Sequence, residues 1–225
     1  MLISIWSDKG GTSKTTTALI AASYFRDAQL LDLDKQRDLC AWAAPAKRPC
    51  EWLRLYDDKG RVDEKAVASS QQRLIAAAES EDLCIVDSPP GDAPERMMGM
   101  AFSRLVIVPT RDGHSDLRAL NRALQLVATI RENGNPELMV AVILGAAKDC
   151  SRMRGVADGL SVAAGFTYLG AVKDRAVYKE AYAKGLNIVG EGGPAREESE
   201  AAMSRLVEVL PELARWAPVK TAKAA

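Results

Sequence analysis

Six short apolar runs constrain the fold of this chain more than any other feature of its 225-residue sequence. They occupy residues 2–6, 30–34, 83–87, 105–109, 139–145 and 166–172. Most of them are continuously apolar, which is typical of strands covered on both faces of a sheet, whereas half-exposed strands alternate. Helical patterns lie between the runs. This alternation predicts an α/β fold with a doubly wound, mostly parallel sheet flanked by helices.

Helices are predicted over 14–26, 63–79 and 115–131. In the last of these, apolar residues recur at three- and four-residue steps, with Ser115 as the predicted N-cap and Gly134 as the predicted stop. Segment 45–62 is predicted to be either an extra edge strand or a loop. No repeat or linker divides the chain, so we expect one domain over 1–216 and a flexible tail over 217–225.

Charge and cysteine content argue against several function classes. Thirty basic and thirty acidic residues balance, so any binding of nucleic acid must come from a local patch. The four cysteines include no C-x-x-C pair, and the sequence therefore suggests neither a zinc site nor an iron–sulfur site. No signal peptide is recognised, and no apolar run approaches the ~18 residues of a membrane span. We therefore expect a cytoplasmic protein in a reducing environment.

The first apolar run is followed by a glycine-containing loop, SDKGGTSKTT at residues 7–16. It departs from the phosphate-binding pattern G-x-x-x-x-G-K-[ST], because the two glycine positions fall on Asp8 and Ser13. A loop of backbone N–H groups beside a helix N-terminus still favours anions, although a plain turn before a helix is the alternative. The predicted nucleotide-binding residues are Gly10, Gly11, Thr12, Ser13, Lys14, Thr15 and Thr16.

Within this loop, individual residues carry separate predictions. Lys14 is expected to reach the β- and γ-phosphates, and the hydroxyl of Thr15 to ligate Mg²⁺. Gly10 and Gly11 allow close approach of the backbone to phosphate. Ser13 fits if its φ is negative.

Carboxylates follow two further predicted strands, with Asp32 and Asp34 after one and Asp87 after the other. Ligands bind beyond the carboxyl ends of strands in an open α/β sheet, so these side chains should face the loop. Asp87 is placed to hold a Mg²⁺-bound water, and Asp34 is a further candidate for the metal. The turn at 89–91, Pro-Pro-Gly, is predicted to sense the γ-phosphate.

Together these motifs resemble the ParA/MinD group of deviant Walker-A ATPases, and within it the short ParA proteins of plasmid and chromosome partition. The segment KGGTSKT (9–15) resembles the family's loop, LLDLDKQ (30–36) its first switch and IVDSPPG (85–91) its second. Residues 170–192 resemble, less specifically, the family's stretch that precedes the terminal helix. The resemblance implies a P-loop ATPase that uses ATP and Mg²⁺.

The resemblance also implies roles for particular residues. Lys9 is expected to reach the phosphates of the partner subunit's ATP across a dimer interface. The implied catalytic residues are therefore Lys9, Lys14 and Asp34, of which Asp34 would orient the attacking water, while Asp32 supports the switch. Two departures from the family pattern, Ser13 for glycine and Lys35 for proline, are expected to alter loop mobility and rate.

The implied function is partition of DNA by a slow, partner-stimulated ATPase. ATP would join two subunits into a homodimer that binds DNA without sequence preference and associates with the nucleoid, with a ParB-like adaptor stimulating hydrolysis and no membrane involved. The candidate DNA-binding residues are Arg152, Arg154, Lys173, Arg175 and Lys179. Lys148 and Asp149 are the candidates near the adenine.

Four alternatives remain open from the sequence. The first is a ParA-like ATPase that positions another cargo, in conjugation or for a protein complex. The second is a MinD-like membrane-associated regulator, which would need a basic amphipathic C-terminal helix, whereas residues 196–216 begin with acidic residues and contain Pro211. The third is a small-molecule ligase with the same loop. The fourth is a nucleotide-binding scaffold without turnover.

Overall fold

A computed structural model describes residues 1–111, 114–147, 165–189 and 193–218 of the chain. Its strands follow the predicted apolar runs, with one addition at the sheet edge. They are β1 (Leu2–Ile5), β2 (Gln29–Asp32), β3 (Cys50–Trp52), β4 (Cys84–Asp87), β5 (Leu105–Thr110), β6 (Met139–Ala147) and β7 (Thr167–Lys173). The addition is β3, so the edge-strand alternative for segment 45–62 is confirmed.

Helices alternate with these strands along the described residues. They are α1 (Lys14–Tyr24), α2 (Asp38–Ala43), α3 (Glu64–Glu79), α4 (Pro94–Ala101), α5 (His114–Glu132), α6 (Ala176–Lys184) and α7 (Pro194–Val209). Local sequence explains several starts: Asp63 caps α3 by accepting a hydrogen bond from the Ala66 amide, and prolines open α4 and α7. The N-cap prediction for Ser115 is wrong, because α5 already begins at His114.

All seven strands pair in parallel, in the order β3-β2-β4-β1-β5-β6-β7. The predicted doubly wound sheet is confirmed, and within the described residues it is entirely parallel. Parallel strands end at the same edge, and the register aligns Asp32 and Ile5 with Asp87 of the strand between them. The loops that follow β1, β2 and β4 therefore converge, which is where open α/β sheets bind ligands.

The core lies on both faces of the sheet. On one face, Ile3, Ile5 and Ile107 pack with α1, α2, α6 and α7. On the other face, two clusters form under α3, α4 and α5 around residues such as Leu31 and Val106. Every strand of the sheet centre is therefore covered on both sides, which explains its continuously apolar sequence.

The C-terminal part of the described chain packs onto the first face. Helix α7 ends before Pro211, and a short 3₁₀ helix, Pro211–Arg215, buries Leu213 against the core. The predicted tail lies mostly outside the described residues, which end at 218. None of the described helices combines the length and apolar character that a bilayer span requires.

Candidate nucleotide-binding site

The segment between β1 and α1 is a tight loop whose polar side chains turn inward. Ser7 and Thr12 are buried, their hydroxyls hydrogen-bond each other, and Ser7 Oγ also donates to the Lys9 carbonyl at 2.9 Å. Gly10 and Gly11 are exposed at the rim, and Gly11 has a φ of 72°. The inward bonds fix the loop from behind and leave its glycine backbone on the outer surface, where an anion can approach it.

The condition under which serine was expected to fit at position 13, a negative φ, is not met. Its φ is 73° and its ψ is 30°, the left-handed conformation, immediately before α1. The chain must turn sharply there to enter the helix, and glycine makes that turn without strain, whereas an L-residue with a Cβ does so at a cost. Gly145 of β6 makes room for it, because a Cβ built at 145 would lie 2.8 Å from the Ser13 Cβ.

We therefore expect Ser13→Gly to raise the free energy of unfolding by about 1 kcal/mol, since it removes the left-handed strain. Chemical denaturation of the full chain measures the change. Ser13→Ala is the matched control: it removes the hydroxyl but keeps the Cβ, and it should give no such gain. Equal stability of the glycine and alanine variants would show that the backbone at this position carries no strain.

Lys14 is the first residue of α1 and is almost completely buried, with 8% of its surface exposed. Its Nζ donates to the Lys9 carbonyl at 3.1 Å, which holds the ammonium against the inner side of the loop. Burial lowers the pKa of Lys14, and the nearby carboxylates of Asp87 and Asp34 oppose that shift. A partly desolvated cation at a helix N-terminus interacts strongly with an anion such as a phosphate.

Thr15 and Asp87 meet beside this lysine. Thr15 Oγ1 donates to Asp87 Oδ2 at 2.9 Å, and the Asp87 carboxyl is buried at the end of β4. Burial raises the pKa of Asp87 well above its usual range, and the charge of Asp32 adds to the shift. Asp87 Oδ1 has no hydrogen-bond partner among the described residues. A hydroxyl next to a carboxylate with an unsatisfied oxygen fits a Mg²⁺ ion and its bound water.

Asp32 and Asp34 shape the loop after β2. The fully buried Asp32 carboxylate accepts hydrogen bonds from the Asp34 amide at 3.0 Å and the Cys40 amide at 3.1 Å. Burial raises the pKa of Asp32 to about 6, although these backbone hydrogen bonds oppose the shift. Asp32 thus anchors the backbone that carries Asp34.

Most of the predicted loop residues and several of the predicted switch residues line one cavity of about 470 Å³. Gly10, Gly11, Ser13, Lys14, Thr15 and Thr16 form one wall. Asp34, Pro89 and Pro90 lie on the other side, so the structure brings together the residues predicted from three separate stretches. Thr12 does not line this cavity but is buried behind it.

Lys9 lies at the outer side of the loop. Its Nζ forms an ion pair with Asp116 of α5 at 3.3 Å, and the lysine side chain is 38% exposed. The side chain of Lys9 does not line the cavity of its own subunit. Its carbonyl oxygen, in contrast, accepts the hydrogen bond from Lys14, so Lys9 contributes its backbone to the site and its side chain to the surface.

No family model matches the chain. Two characterised proteins do resemble it at 27% identity. One is the maintenance of carboxysome distribution protein A of Halothiobacillus neapolitanus, aligned over 214 residues that cover 90% of this chain and 93% of that protein. The other is the chromosome-partitioning ATPase Soj of Thermus thermophilus, aligned over 167 residues that cover 63% of this chain and 67% of that protein.

Solved structures show the same fold. An ATP complex of a McdA variant from Cyanothece has a TM-score of 0.68 at 20% identity, covering 93% of this chain and 96% of that one. The septum site-determining protein MinD of Pyrococcus horikoshii, solved with Mg-ADP, has a TM-score of 0.61 at 17% identity, covering 94% and 98%. The chain is therefore similar in sequence to ParA/MinD-type proteins and shares their fold.

Three of the predicted DNA-binding residues lie near the loop. Lys173, Arg175 and Lys179 line a second cavity of about 320 Å³ that also borders Ser13, Thr15 and Thr16. Arg175 is already paired, because its guanidinium contacts the Glu198 carboxylate at 2.5 Å. The other two, Arg152 and Arg154, lie outside the described residues, as do the adenine candidates Lys148 and Asp149.

Sequence analysis missed several residues of the first cavity, among them Tyr56 and Arg96. Arg96 of α4 donates through Nε to the Tyr56 hydroxyl at 2.8 Å and through Nη1 to the Pro90 carbonyl at 3.1 Å. These bonds tie the turn at 89–91 to the segment after β3. The signal in the sequence was weak, because an arginine in a helix is ordinary and Tyr56 lies in segment 45–62, whose sequence allowed either an edge strand or a loop.

Proposed function

We propose that the chain is an ATPase that binds ATP and Mg²⁺ in the cavity of about 470 Å³ and uses hydrolysis to control its own association. One observation carries the proposal. Lys14, Thr15 and Asp34 line a single cavity next to a glycine loop and a helix N-terminus, and Thr15 Oγ1 donates to the buried Asp87 carboxylate. The sequence similarity to a chromosome-partitioning ATPase and the ATP complex among the structural neighbours support it.

The cationic and the acidic residues of the site have separate proposed roles. Lys14 and the loop amides bind the phosphates and neutralise charge that develops on them. Thr15 and, through a water molecule, Asp87 would hold Mg²⁺, which supplies further charge neutralisation when bound. Asp34, held in position by Asp32, orients the attacking water. Pro89 and Pro90 lie on the same cavity wall and would adjust when the γ-phosphate leaves.

Two subunits would share the nucleotides. Lys9 is partly exposed on the loop and forms an ion pair with Asp116 across the surface of its own subunit, an arrangement that a partner's phosphates can compete with. An ion pair that is partly exposed contributes about 1 kcal/mol or less, so its exchange for a triphosphate is favourable. ATP would then favour the dimer over the monomer, and hydrolysis would remove that preference.

The proposed role of this cycle is partition of DNA, in which the ATP dimer binds DNA non-specifically on the nucleoid and a ParB-like adaptor stimulates hydrolysis. The resemblance to a chromosome-partitioning ATPase supports this role. Lys173 and Lys179, together with Arg152 and Arg154, are the proposed contacts to DNA phosphates. Arg175 would contribute only if its pairing with Glu198 is exchanged.

A second candidate is a positioning ATPase of the same mechanism with another cargo. One observation favours it: the alignment with a carboxysome distribution protein covers 90% of this chain, against 63% for the chromosome-partitioning relative. Both candidates use the same nucleotide cycle and differ in the adaptor.

The experiment that tests the proposal is phosphate release from ATP and Mg²⁺, with and without DNA, for the wild type and Asp34→Ala. We expect the variant to bind ATP normally, to lose phosphate release by at least about tenfold and to accumulate as a larger species by size exclusion. Asp58→Ala is the matched control, because Asp58 is an exposed carboxylate on the segment after β3. Equal phosphate release by the wild type and Asp34→Ala would contradict the assigned role.

A further inference from the structure

Two thiols that are ten residues apart in sequence meet beside the nucleotide site. Cys40 of α2 and Cys50 of β3 are both partly buried, and their Sγ atoms are 2.6 Å apart. Two thiolates on one tetrahedral zinc ion would lie about 3.8 Å apart, given Zn–S bonds of about 2.3 Å. A disulfide needs a smaller displacement, since its sulfur atoms lie about 2.05 Å apart.

We propose that Cys40 and Cys50 form a reversible dithiol–disulfide site that reacts with low-molecular-weight disulfides such as oxidised glutathione and fixes α2 to the edge strand β3. The proximity that carries this inference arises from tertiary structure. Strand β3 pairs with β2 so that Cys50 lies opposite Leu30, and α2 folds back over that end of the sheet. No C-x-x-C motif is involved.

The reaction is an exchange of two electrons between dithiol and disulfide. The Cys40 thiolate attacks one sulfur of glutathione disulfide, releases one glutathione thiolate and leaves a mixed disulfide. The Cys50 thiol then loses its proton and attacks Cys40 Sγ, which forms the intramolecular bond and releases the second glutathione. The order follows from the pair itself, because the hydrogen bond with Cys50 lowers the pKa of Cys40, and the same bond raises that of Cys50.

The bond would restrain the segment that carries Asp34. Asp32 holds the amides of Asp34 and Cys40 with one carboxylate. On the other side, the Arg37 guanidinium stacks 3.6 Å from the centroid of the Trp52 ring in β3. A disulfide from Cys40 to β3 would add a covalent but reversible attachment to these weaker ones. An effect of this restraint on ATP turnover rests on the proposed ATPase function, whereas formation of the disulfide does not.

The competing occupant of the same site is a metal ion. The carboxylate of Asp32 lies within 4.8 Å of both sulfur atoms, and these three groups are the types of ligand that zinc prefers. Against it, both oxygens of Asp32 already accept backbone hydrogen bonds, and the sulfur atoms are too close together for a shared tetrahedral ion.

The test uses the reduced full-length chain incubated with oxidised glutathione, followed by alkylation and peptide mass mapping. We expect the wild type to lose two of its four thiols and to yield a linked Cys40–Cys50 peptide. Cys50→Ser should stop at the mixed disulfide and carry glutathione on Cys40. Cys84→Ser is the matched control and should behave as the wild type, because Cys84 is buried in β4 away from the pair.

Three results would overturn the proposal. The first is a wild type that retains both thiols, and the second is one that accumulates the mixed disulfide without resolving it. The third is stoichiometric zinc that survives dialysis and protects Cys40 and Cys50 from glutathione, which would assign the site to a metal.

Coupling to the nucleotide site is measured separately. Amide hydrogen exchange of residues 33–39 should slow several-fold in the oxidised wild type and recover with dithiothreitol, and phosphate release should fall and recover in parallel. Cys50→Ser should show neither change. Unchanged hydrogen exchange of residues 33–39 in a chain that has formed the Cys40–Cys50 disulfide would refute the proposed restraint. If, in addition, the reduced chain released no phosphate from ATP, the result would also count against the proposed ATPase function.

Discussion

Lys9→Ala is expected to abolish ATP-dependent dimerisation and to lower ATP turnover by about a thousandfold or more, the range found when a cation supplied in trans is removed from phosphoryl transfer. Binding of one nucleotide to the monomer should persist. The reason is that the Lys9 side chain points away from the cavity of its own subunit and pairs with Asp116, while its carbonyl, which alanine retains, holds Lys14.

The measurements for this variant separate association from binding. Size exclusion with a non-hydrolysable ATP analogue reports the dimer, a fluorescent nucleotide reports monomer binding, and phosphate release reports turnover. Lys65→Ala is the matched control, because Lys65 is an exposed cation on α3. Normal turnover by Lys9→Ala would refute the role in trans and would return Lys9 to the status of a surface cation.

Most strands of this fold could be predicted because strands that are buried on both faces have continuously apolar sequences. Continuously apolar runs located β1, β2, β4, β5, β6 and β7 and the carboxylates at their ends. The three-residue β3 has no continuously apolar sequence, since its residues are only partly buried or exposed. The position of the candidate site could be predicted because parallel strands bring the ends of β1, β2 and β4 to one edge of the sheet.

What the sequence did not reveal depends on backbone conformation and tertiary contact. Ser13 is an example, because a side chain does not reveal the sign of its own φ, although the glycine usual at this position of the loop motif was a hint. The Cys40–Cys50 pair is another, since its proximity depends on the register of β2 with β3. The ion pair between Lys9 and Asp116 likewise joins residues from distant parts of the chain.

Lys14→Ala is expected to weaken ATP binding by at least about a hundredfold, since a hydrogen bond to a charged group that is lost from a buried site costs about 1.5–3 kcal/mol and the phosphates lose a neutralising charge as well. Lys14 is the most buried cation of the loop and lines the proposed ATP cavity directly. Titration with a fluorescent ATP analogue in the presence of Mg²⁺ measures the loss.

The fold should survive this substitution. Burial lowers the pKa of Lys14, because desolvating its ammonium costs free energy in the native state. Alanine at this position removes that cost together with the hydrogen bond to the Lys9 carbonyl. A cooperative unfolding transition close to that of the wild type should therefore accompany the loss of binding. Lys9→Ala is the matched control, because it removes a cation from the same loop yet should leave monomer binding intact. If Lys14→Ala binds ATP as the wild type does while remaining folded, the cavity beside α1 does not hold the triphosphate, and the roles of Thr15, Asp34 and Asp87 fail with it.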